Sequence, residues 1–268
     1  MESVSLNACE KESLVIVIGN TTTTIAVFRN GPFPEIEKFP TSLFGVPEEM
    51  NRVLDAVAVR HTGLHEAALC SVVPSVADRC AGMVEALMNI PVVTVCSSMK
   101  LPFVLQYENH DSFGADRIAL CAWGQRQFPD QAMIAVDIGT AITLDVLSSA
   151  GRYLGGMILP GIDSMAAALH SRTAQLPLVS IGRSSGFLGL STSECIRNGI
   201  FWGTVMQIRG LIGEIERYLR IDCLESAVGV VATGGNCGII AGELGGAIAV
   251  DDLAVEKGTL LLLAFNRS

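Results

Sequence analysis

Two stretches of this chain carry residue types that hold phosphate oxygens, and they recur as a repeat. Residues 16–25 read IVIGNTTTTI and residues 136–145 read VDIGTAITLD. Each is an apolar strand, an Ile-Gly turn, a small polar residue and a Thr-bearing second strand. Glycine lets a turn approach a ligand closely, and backbone N–H groups with Thr or Asn side chains can then hold phosphate oxygens. Taken alone, the first turn, Gly19-Asn20-Thr21-Thr22-Thr23-Thr24, reads equally well as an ordinary Gly-Asn hairpin between Thr-rich strands. The second stretch, Asp137-Ile138-Gly139-Thr140 with Thr143 and Asp145, is sharper. Asp137 ends a buried apolar run, where an unpaired carboxylate is costly. A cation or a phosphate-bound metal explains that carboxylate better than a cap on a helix or loop N–H does.

A third group, Phe113-Gly114-Ala115-Asp116-Arg117, opens a helical pattern. Asp is a favoured cap or first-turn residue, so its presence there has an ordinary explanation. It also has a chemical one: the carboxylate can orient a substrate hydroxyl while the neighbouring guanidinium takes a substrate carboxylate. Glycine turns at Gly155-Gly156, Pro160-Gly161 and Thr233-Gly234-Gly235 form a fourth group, the last suiting a nucleotide ribose or base at a strand end. Other chemistries fall away. With no GxG and no GxxxxGK[ST], neither a Rossmann fingerprint nor a Walker-type loop is present. His61 and His65 have a metal-ligand spacing but no HExxH and no third ligand, and read as surface or helix-end residues. There is no GxSxG elbow and no cysteine with a nearby histidine.

These groups need elements to position them. AALCSVVP (67–74) and PVVTV (91–95) are short apolar runs with β-branched residues, as buried strands are. Between them, residues 75–88 form a helix opened by Ser75 as its N-cap. Residues 116–128 form a second helix, stopped by Pro129. In the second half AMIAVDIG, AITLDVLS and GRYLGGMILPG are consecutive strands, and residues 191–220 are one long helix. SAVGVVATGG is a strand with a glycine turn, and DLAVEKGTLLLLAFNR closes as a helix. The alternation predicts an α/β fold. The offset between Gly19 and Gly139, close to half the chain, predicts two similar halves facing a cleft and joined by a helix.

Composition narrows the function classes. The chain has 268 residues, 50% of them hydrophobic and 17% charged, which supports a sizeable core and excludes a disordered chain. Its longest aliphatic run, Leu260 to Phe265, is far shorter than the roughly 20 residues of a membrane helix, so no membrane partner is expected. MESVSLNACEKES carries acids and no apolar block, and predicts no secretory signal. A net charge of −9 repels phosphate backbones, so nucleic acid is not an expected partner. The eight cysteines form no CxxC pair and read as reduced core residues of a cytoplasmic protein. Trp123 and Trp202 read as helix core or interface residues.

In order, VIGNT, Tyr107, GADR, VDIGTAITLD, GGMILPG, TAQLP, LSTSECIRNG and TGG resemble the motifs of the type III pantothenate kinases, from about residue 14 to residue 263. The resemblance implies an actin-like (ribonuclease H-like), sugar-kinase-like fold of two duplicated domains, placed at residues 1–126 and 127–268. It implies ATP-dependent phosphorylation of pantothenate to 4′-phosphopantothenate, the first step of coenzyme A biosynthesis, with Mg²⁺ and a monovalent cation, K⁺ or NH₄⁺. It also implies a homodimer. By the same resemblance Val17, Ile18, Gly19, Asn20, Thr21, Thr22, Thr23 and Thr24 line the ATP phosphates, and Thr140 contacts ATP. Tyr107, Gly114, Ala115, Asp116 and Arg117 hold pantothenate, with Asp116 as acceptor of the hydroxyl proton. Asp137 binds the monovalent cation, and Thr192 reaches pantothenate from the partner subunit.

One position departs from the pattern. The family's first phosphate motif is Asp-x-Gly-Asn-Thr, and Val17 stands where the aspartate belongs. The internal repeat exposes the same loss, because Val17 aligns with Asp137. Valine neither binds Mg²⁺ nor accepts a hydrogen bond, so metal-mediated charge stabilisation at this turn is lost. The basic residue that ends the family's loop is also missing, Thr24 taking its place. The alternative reading is therefore a catalytically weakened relative that binds pantothenate or nucleotide in a regulatory role. The apolar helix around Ile200-Phe201-Trp202 is the expected subunit face.

Overall fold

The computed structural model describes residues 12–29, 34–183 and 186–267. The expectation for the extreme N-terminus and the reading of Cys9 lie outside the described residues. Two compact units divide the chain: residues 1–123 with 254–268, and residues 124–253.

The first unit holds strands β1 (Glu12–Ile18), β2 (Thr22–Phe28), β3 (Glu35–Pro40), β4 (Leu64–Ser71) and β5 (Val92–Thr94) in the order β3-β2-β1-β4-β5. The pairs β1–β2 and β2–β3 are antiparallel, while β1–β4 and β4–β5 are parallel. Helices α1 (Thr41–Phe44), α2 (Pro47–Arg60) and α3 (Pro74–Met88) follow the strands, and α4 (Ala115–Gln127) carries the division between units. The second unit holds β6 (Ala132–Ile138), β7 (Ala141–Leu147), β8 (Tyr153–Pro160), α5 (Ile162–Arg172), α6 (Thr192–Ile221), β9 (Val228–Thr233), α7 (Cys237–Leu244) and β10 (Ile248–Val250). Helix α8 (Ala254–Phe265) closes the chain.

Read from its other edge, the second sheet runs β8-β7-β6-β9-β10, with antiparallel and parallel pairs in the same places as in the first. The internal repeat is therefore a duplication of the whole five-stranded sheet. Its turns differ by one residue. Ile18 pairs with Thr23 across the first hairpin, whereas Ile138 pairs with Ile142 across the second. The ungapped sequence match sets Thr23 against Thr143, but strand pairing sets Thr24 there.

Central strands β1 and β6 read as nearly continuous apolar runs because both faces of each sheet are covered. One face of the first sheet buries Leu14, Ile16, Ile25 and Leu69 with Phe44, Met50 and Leu54 from α1 and α2. The other face sets Val15, Ala26 and Ala68 against Leu260 and Leu263 of α8. Helix α8 thus belongs to the first unit, and the expected 127–268 division gives way to a unit ending at Leu253. In the second unit Ile134, Val136, Ile142 and Leu144 pack with Phe201, Val205 and Ile208 of α6.

Four local readings change. Helix α3 starts one residue earlier than expected, with Pro74 in its first turn and no side-chain cap from Val73; proline fits there because its missing N–H has no helical partner. His61 does end a helix, but it is buried and its Nδ1 accepts from Arg29 Nη2 at 2.9 Å, so it is not a surface residue. Phe201 lies within the core and Ile200 is buried beside it, so of the three residues expected at a subunit face only the half-buried Trp202 is left partly open. Of the described cysteines only Cys70, Cys80, Cys121 and Cys237 are buried, while Cys96 and Cys195 are exposed. Burial pushes the Cys80 thiol up to about 12. Cys237 rises to about 11 through burial and the nearby charges of Asp252 and Asp137. Iodoacetamide on the native protein at pH 8 is therefore expected to modify Cys96 and Cys195 and spare Cys80 and Cys237, as read by peptide mass spectrometry. Equal labelling of all four would contradict this burial pattern.

Candidate active site

Each unit presents its glycine turn at the end of its central strand. In the first, Gly19 N–H donates to the Thr22 carbonyl at 3.0 Å, closing a turn that exposes Asn20, Thr21 and Thr22. Thr41, at the start of α1, braces this turn. Its N–H donates to the Thr21 carbonyl at 2.9 Å and its hydroxyl to the Gly19 carbonyl at 2.8 Å, with Thr23 Oγ1 3.0 Å away. Thr23, Thr24 and Ile18 are buried and Val17 is half-buried, so only the outer part of the turn presents its side chains to solvent.

Val17 lies between Thr24 on β2 and Cys70 on β4. Asp137 lies between Thr143 on β7 and Thr233 on β9, the same place in the second sheet. Strand register therefore confirms that valine occupies the position of a carboxylate. The segment from Val17 to Thr24 contains no carboxylate, and it does not fit a protein-held Mg²⁺.

The second turn has a different character. Asp137 is half-buried, and cross-strand partners share a face, so the Thr143 hydroxyl lies on the side of Asp137. Thr143 Oγ1 is buried without a hydrogen-bond partner. Gly234 has φ +105°, and a Cβ there would come within 2.4 Å of Asp137 Oδ1. Glycine thus keeps the space at the carboxylate open. A carboxylate, an unsatisfied hydroxyl and open space fit a monovalent cation. Asp145 plays another part: it is fully buried and accepts from the Tyr153 hydroxyl at 2.8 Å. Gly156 packs against this pair, since a Cβ there would lie 2.7 Å from both side-chain oxygens.

The GADR segment sits at the start of α4 in the first unit. Asp116 Oδ1 accepts the Arg117 N–H at 2.8 Å, and a Cβ on Gly114 would come within 2.5 Å of that oxygen. Glycine is thus what leaves the carboxylate room at the helix start. Arg117 is buried, its guanidinium 4.3 Å from the Phe113 ring centroid and 5.8 Å from that of Tyr107. The two rings meet edge to face at 4.9 Å. Tyr107, Gly114, Asp116 and Arg117 therefore come together, while Ala115 is buried in the helix start. Phe113 has extended backbone just before α4, so no helical spacing in the sequence announces its place under Arg117. A buried cation on an aromatic face is a recognition element for an organic carboxylate.

Thr192 belongs to the second unit, exposed in the first turn of α6. Ser191 Oγ accepts from Glu194 N–H at 3.3 Å, and Glu194 Oε2 accepts from Leu190 N–H at 2.8 Å. The Ser191 cap and the Glu194 bond to the residue before it fix where the helix begins, and with it Thr192.

Known proteins agree with these features. A family model described as type III pantothenate kinase matches residues 13–214. A type III pantothenate kinase of Chlorobaculum parvum is 51% identical over 253 residues, covering 94% of each chain. Two solved structures share the fold at low identity. One is the ethanolamine utilization protein EutJ from Carboxydothermus hydrogenoformans, with TM-score 0.52 and 14% identity over 94% of this chain and 89% of that one. The other is the activator of the 2-hydroxyisocaproyl-CoA dehydratase from Clostridium difficile with bound ADPNP, with TM-score 0.51 and 15% identity over 95% and 94%. The duplicated sheets are those of the two-domain actin-like α/β fold. Both glycine turns and the GADR helix start fall inside the matched region, and the chain belongs to the type III pantothenate kinase family.

Proposed function

We propose that this chain transfers the γ-phosphoryl group of ATP to the 4′-hydroxyl of pantothenate, the entry step of coenzyme A biosynthesis. The observation that carries this reading is the Tyr107–Phe113–Arg117 cluster beside Asp116, a carboxylate receptor next to a proton acceptor. Arg117 takes the pantothenate carboxylate, and its stack on Phe113 holds the guanidinium plane before substrate arrives. Asp116 accepts the proton as the hydroxyl oxygen bonds to the γ-phosphorus; the bond to the β–γ bridging oxygen breaks and ADP leaves. The backbone of the Gly19–Thr22 turn and Thr140 contact the nucleotide.

Asp137 and the Thr143 hydroxyl would hold the monovalent cation, K⁺ or NH₄⁺, which offsets phosphate charge. Nucleotide is taken as its Mg²⁺ complex, with no first-turn carboxylate to hold the ion. We place the protein in the cytoplasm as a homodimer. Among the described residues, no helix is long and apolar enough to cross a membrane. Phe187, Leu188 and Leu190, 65%, 82% and 99% exposed, precede Thr192 and give the second copy an apolar seat, so that Thr192 serves the partner's pantothenate. This segment adjoins the Ile200–Trp202 stretch, the Phe187 ring centroid lying 5.7 Å from that of Trp202.

Pantothenate-dependent ADP release by the purified protein tests the reading. Release that follows pantothenate, and not other hydroxy acids, supports it; release without such dependence overturns it. Val17 favours a second reading, a binding relative with little turnover, whose signature is bound pantothenate with no ADP release. Phe113→Leu should raise the pantothenate KM about threefold to tenfold, by loss of the ring face under Arg117, and leave the ATP KM unchanged in the same assay.

A further inference from the structure

The same brace is built twice. In the first unit the chain leaves β3 at Pro40, and Thr41 at once turns its N–H and hydroxyl onto the Thr21 and Gly19 carbonyls. In the second it leaves β8 at Pro160. Gly161 N–H donates to the Thr140 carbonyl at 3.1 Å, and the Ser164 hydroxyl donates to the same oxygen at 2.7 Å. Pro40 pairs with Thr22 and Pro160 with Ala141, so both braces arise at the same point of the duplicated sheet.

The second brace reaches further. Asn236, in the β9–α7 turn, donates its N–H to the Ile138 carbonyl at 2.9 Å and its side-chain Nδ2 to Asp163 Oδ2 at 3.1 Å. Two segments distant in sequence thus meet on the Ile138–Ala141 turn. Close packing leaves this brace little freedom, since a Cβ on Gly161 would lie 2.2 Å from the Gly139 carbonyl oxygen. A trans peptide points its N–H opposite to its carbonyl. With the Thr140 carbonyl committed to α5, the Ala141 N–H is directed away from that helix; with the Ile138 carbonyl committed to Asn236, the Gly139 N–H turns into the loop and donates to the Ala141 carbonyl at 3.0 Å, which closes the turn.

We propose that Thr41 in the first unit and Asp163 with Ser164 in the second are positioning residues, which fix the peptide orientations of the two turns that receive nucleotide phosphates. The inference rests on the kinase reading for what the turns bind. It adds residues that touch neither nucleotide nor pantothenate, acting through carbonyls and through Asn236.

The test uses the full-length protein and the variants Thr41→Ala, Thr41→Ser, Asp163→Ala and Asp163→Asn. Two readouts are taken: steady-state KM for ATP and for pantothenate, and calorimetric affinity for a non-hydrolysable ATP analogue. Loss of one or two hydrogen bonds predicts a rise of about threefold to tenfold in ATP KM and analogue dissociation constant for both alanine variants, with pantothenate KM within about twofold. Serine keeps the Thr41 hydroxyl and asparagine keeps an acceptor for Asn236, so both conservative variants are expected to restore nucleotide affinity.

Unchanged affinity in the alanine variants would overturn the proposal. So would an Asp163→Asn variant as weak as Asp163→Ala, which would mean that charge, not the hydrogen bond, matters. A matching rise in pantothenate KM would reveal general loosening and overturn it too. Analogue affinity separates this test from the kinase reading: an unmodified protein that binds the analogue without phosphorylating pantothenate ends that reading, while the variants still decide the brace. An unmodified protein that does not bind the analogue ends both.

Discussion

Asp116→Asn is expected to lower kcat by about a hundredfold to ten-thousandfold, the range for removing a positioned general base. Asparagine keeps an oxygen that accepts the Arg117 N–H, so the start of α4 and the Arg117 stack on Phe113 persist. Only the capacity to take a proton is lost. Pantothenate KM should therefore stay near its original value while kcat collapses, because the change acts on the transition state more than on ground-state binding. Steady-state kinetics at saturating ATP check this. Equal losses in kcat and in pantothenate affinity would mean that Asp116 is mainly a binding group.

Val17→Asp is the second large effect, and it runs the other way. Val17 is half-buried at the end of β1, two residues before the turn glycine, as Asp137 is at the end of β6. The fold already accepts a carboxylate at this point of the duplicated sheet, so the variant is expected to fold. Its carboxylate would stand where the turn has only neutral groups to meet ATP phosphate charge. An increase in kcat/KM for ATP of about tenfold to a hundredfold is expected, together with a lower Mg²⁺ requirement. Val17→Asn supplies the polarity without the charge and should gain far less. Unchanged turnover in Val17→Asp would mean that another group already performs the lost function.

Much of this was legible in the sequence, for identifiable reasons. Strands β6 and β7, helix α4 and the long helix α6 follow from apolar runs and periodicity strong enough to outweigh local ambiguity. The duplication was legible from ten residues around Gly19 and Gly139, yet the extra residue in the first turn was not, because register is set by cross-strand pairing. The Val17 anomaly survives that correction, since it lies on the strand before the turn. The placement of α8 in the first unit was hidden because its leucines bind the β1–β4 face formed early in the chain. The braces at Thr41 and at Asp163, Ser164 and Asn236 join segments as far apart in the chain as Ile138 and Asn236, with no local pattern to announce them. GADR was visible as a motif, but the stacking of Arg117 on Phe113 needed the helix geometry.

The measurement closest to the central claim is mass-spectrometric identification of the product after the purified, unmodified protein is incubated with ATP, Mg²⁺, K⁺ and pantothenate. The expected result is 4′-phosphopantothenate accumulating in step with ADP, and absent when Asp116→Asn replaces the unmodified protein. Pantothenate recovered unchanged while the protein still binds it would contradict the account and leave a binding relative in its place.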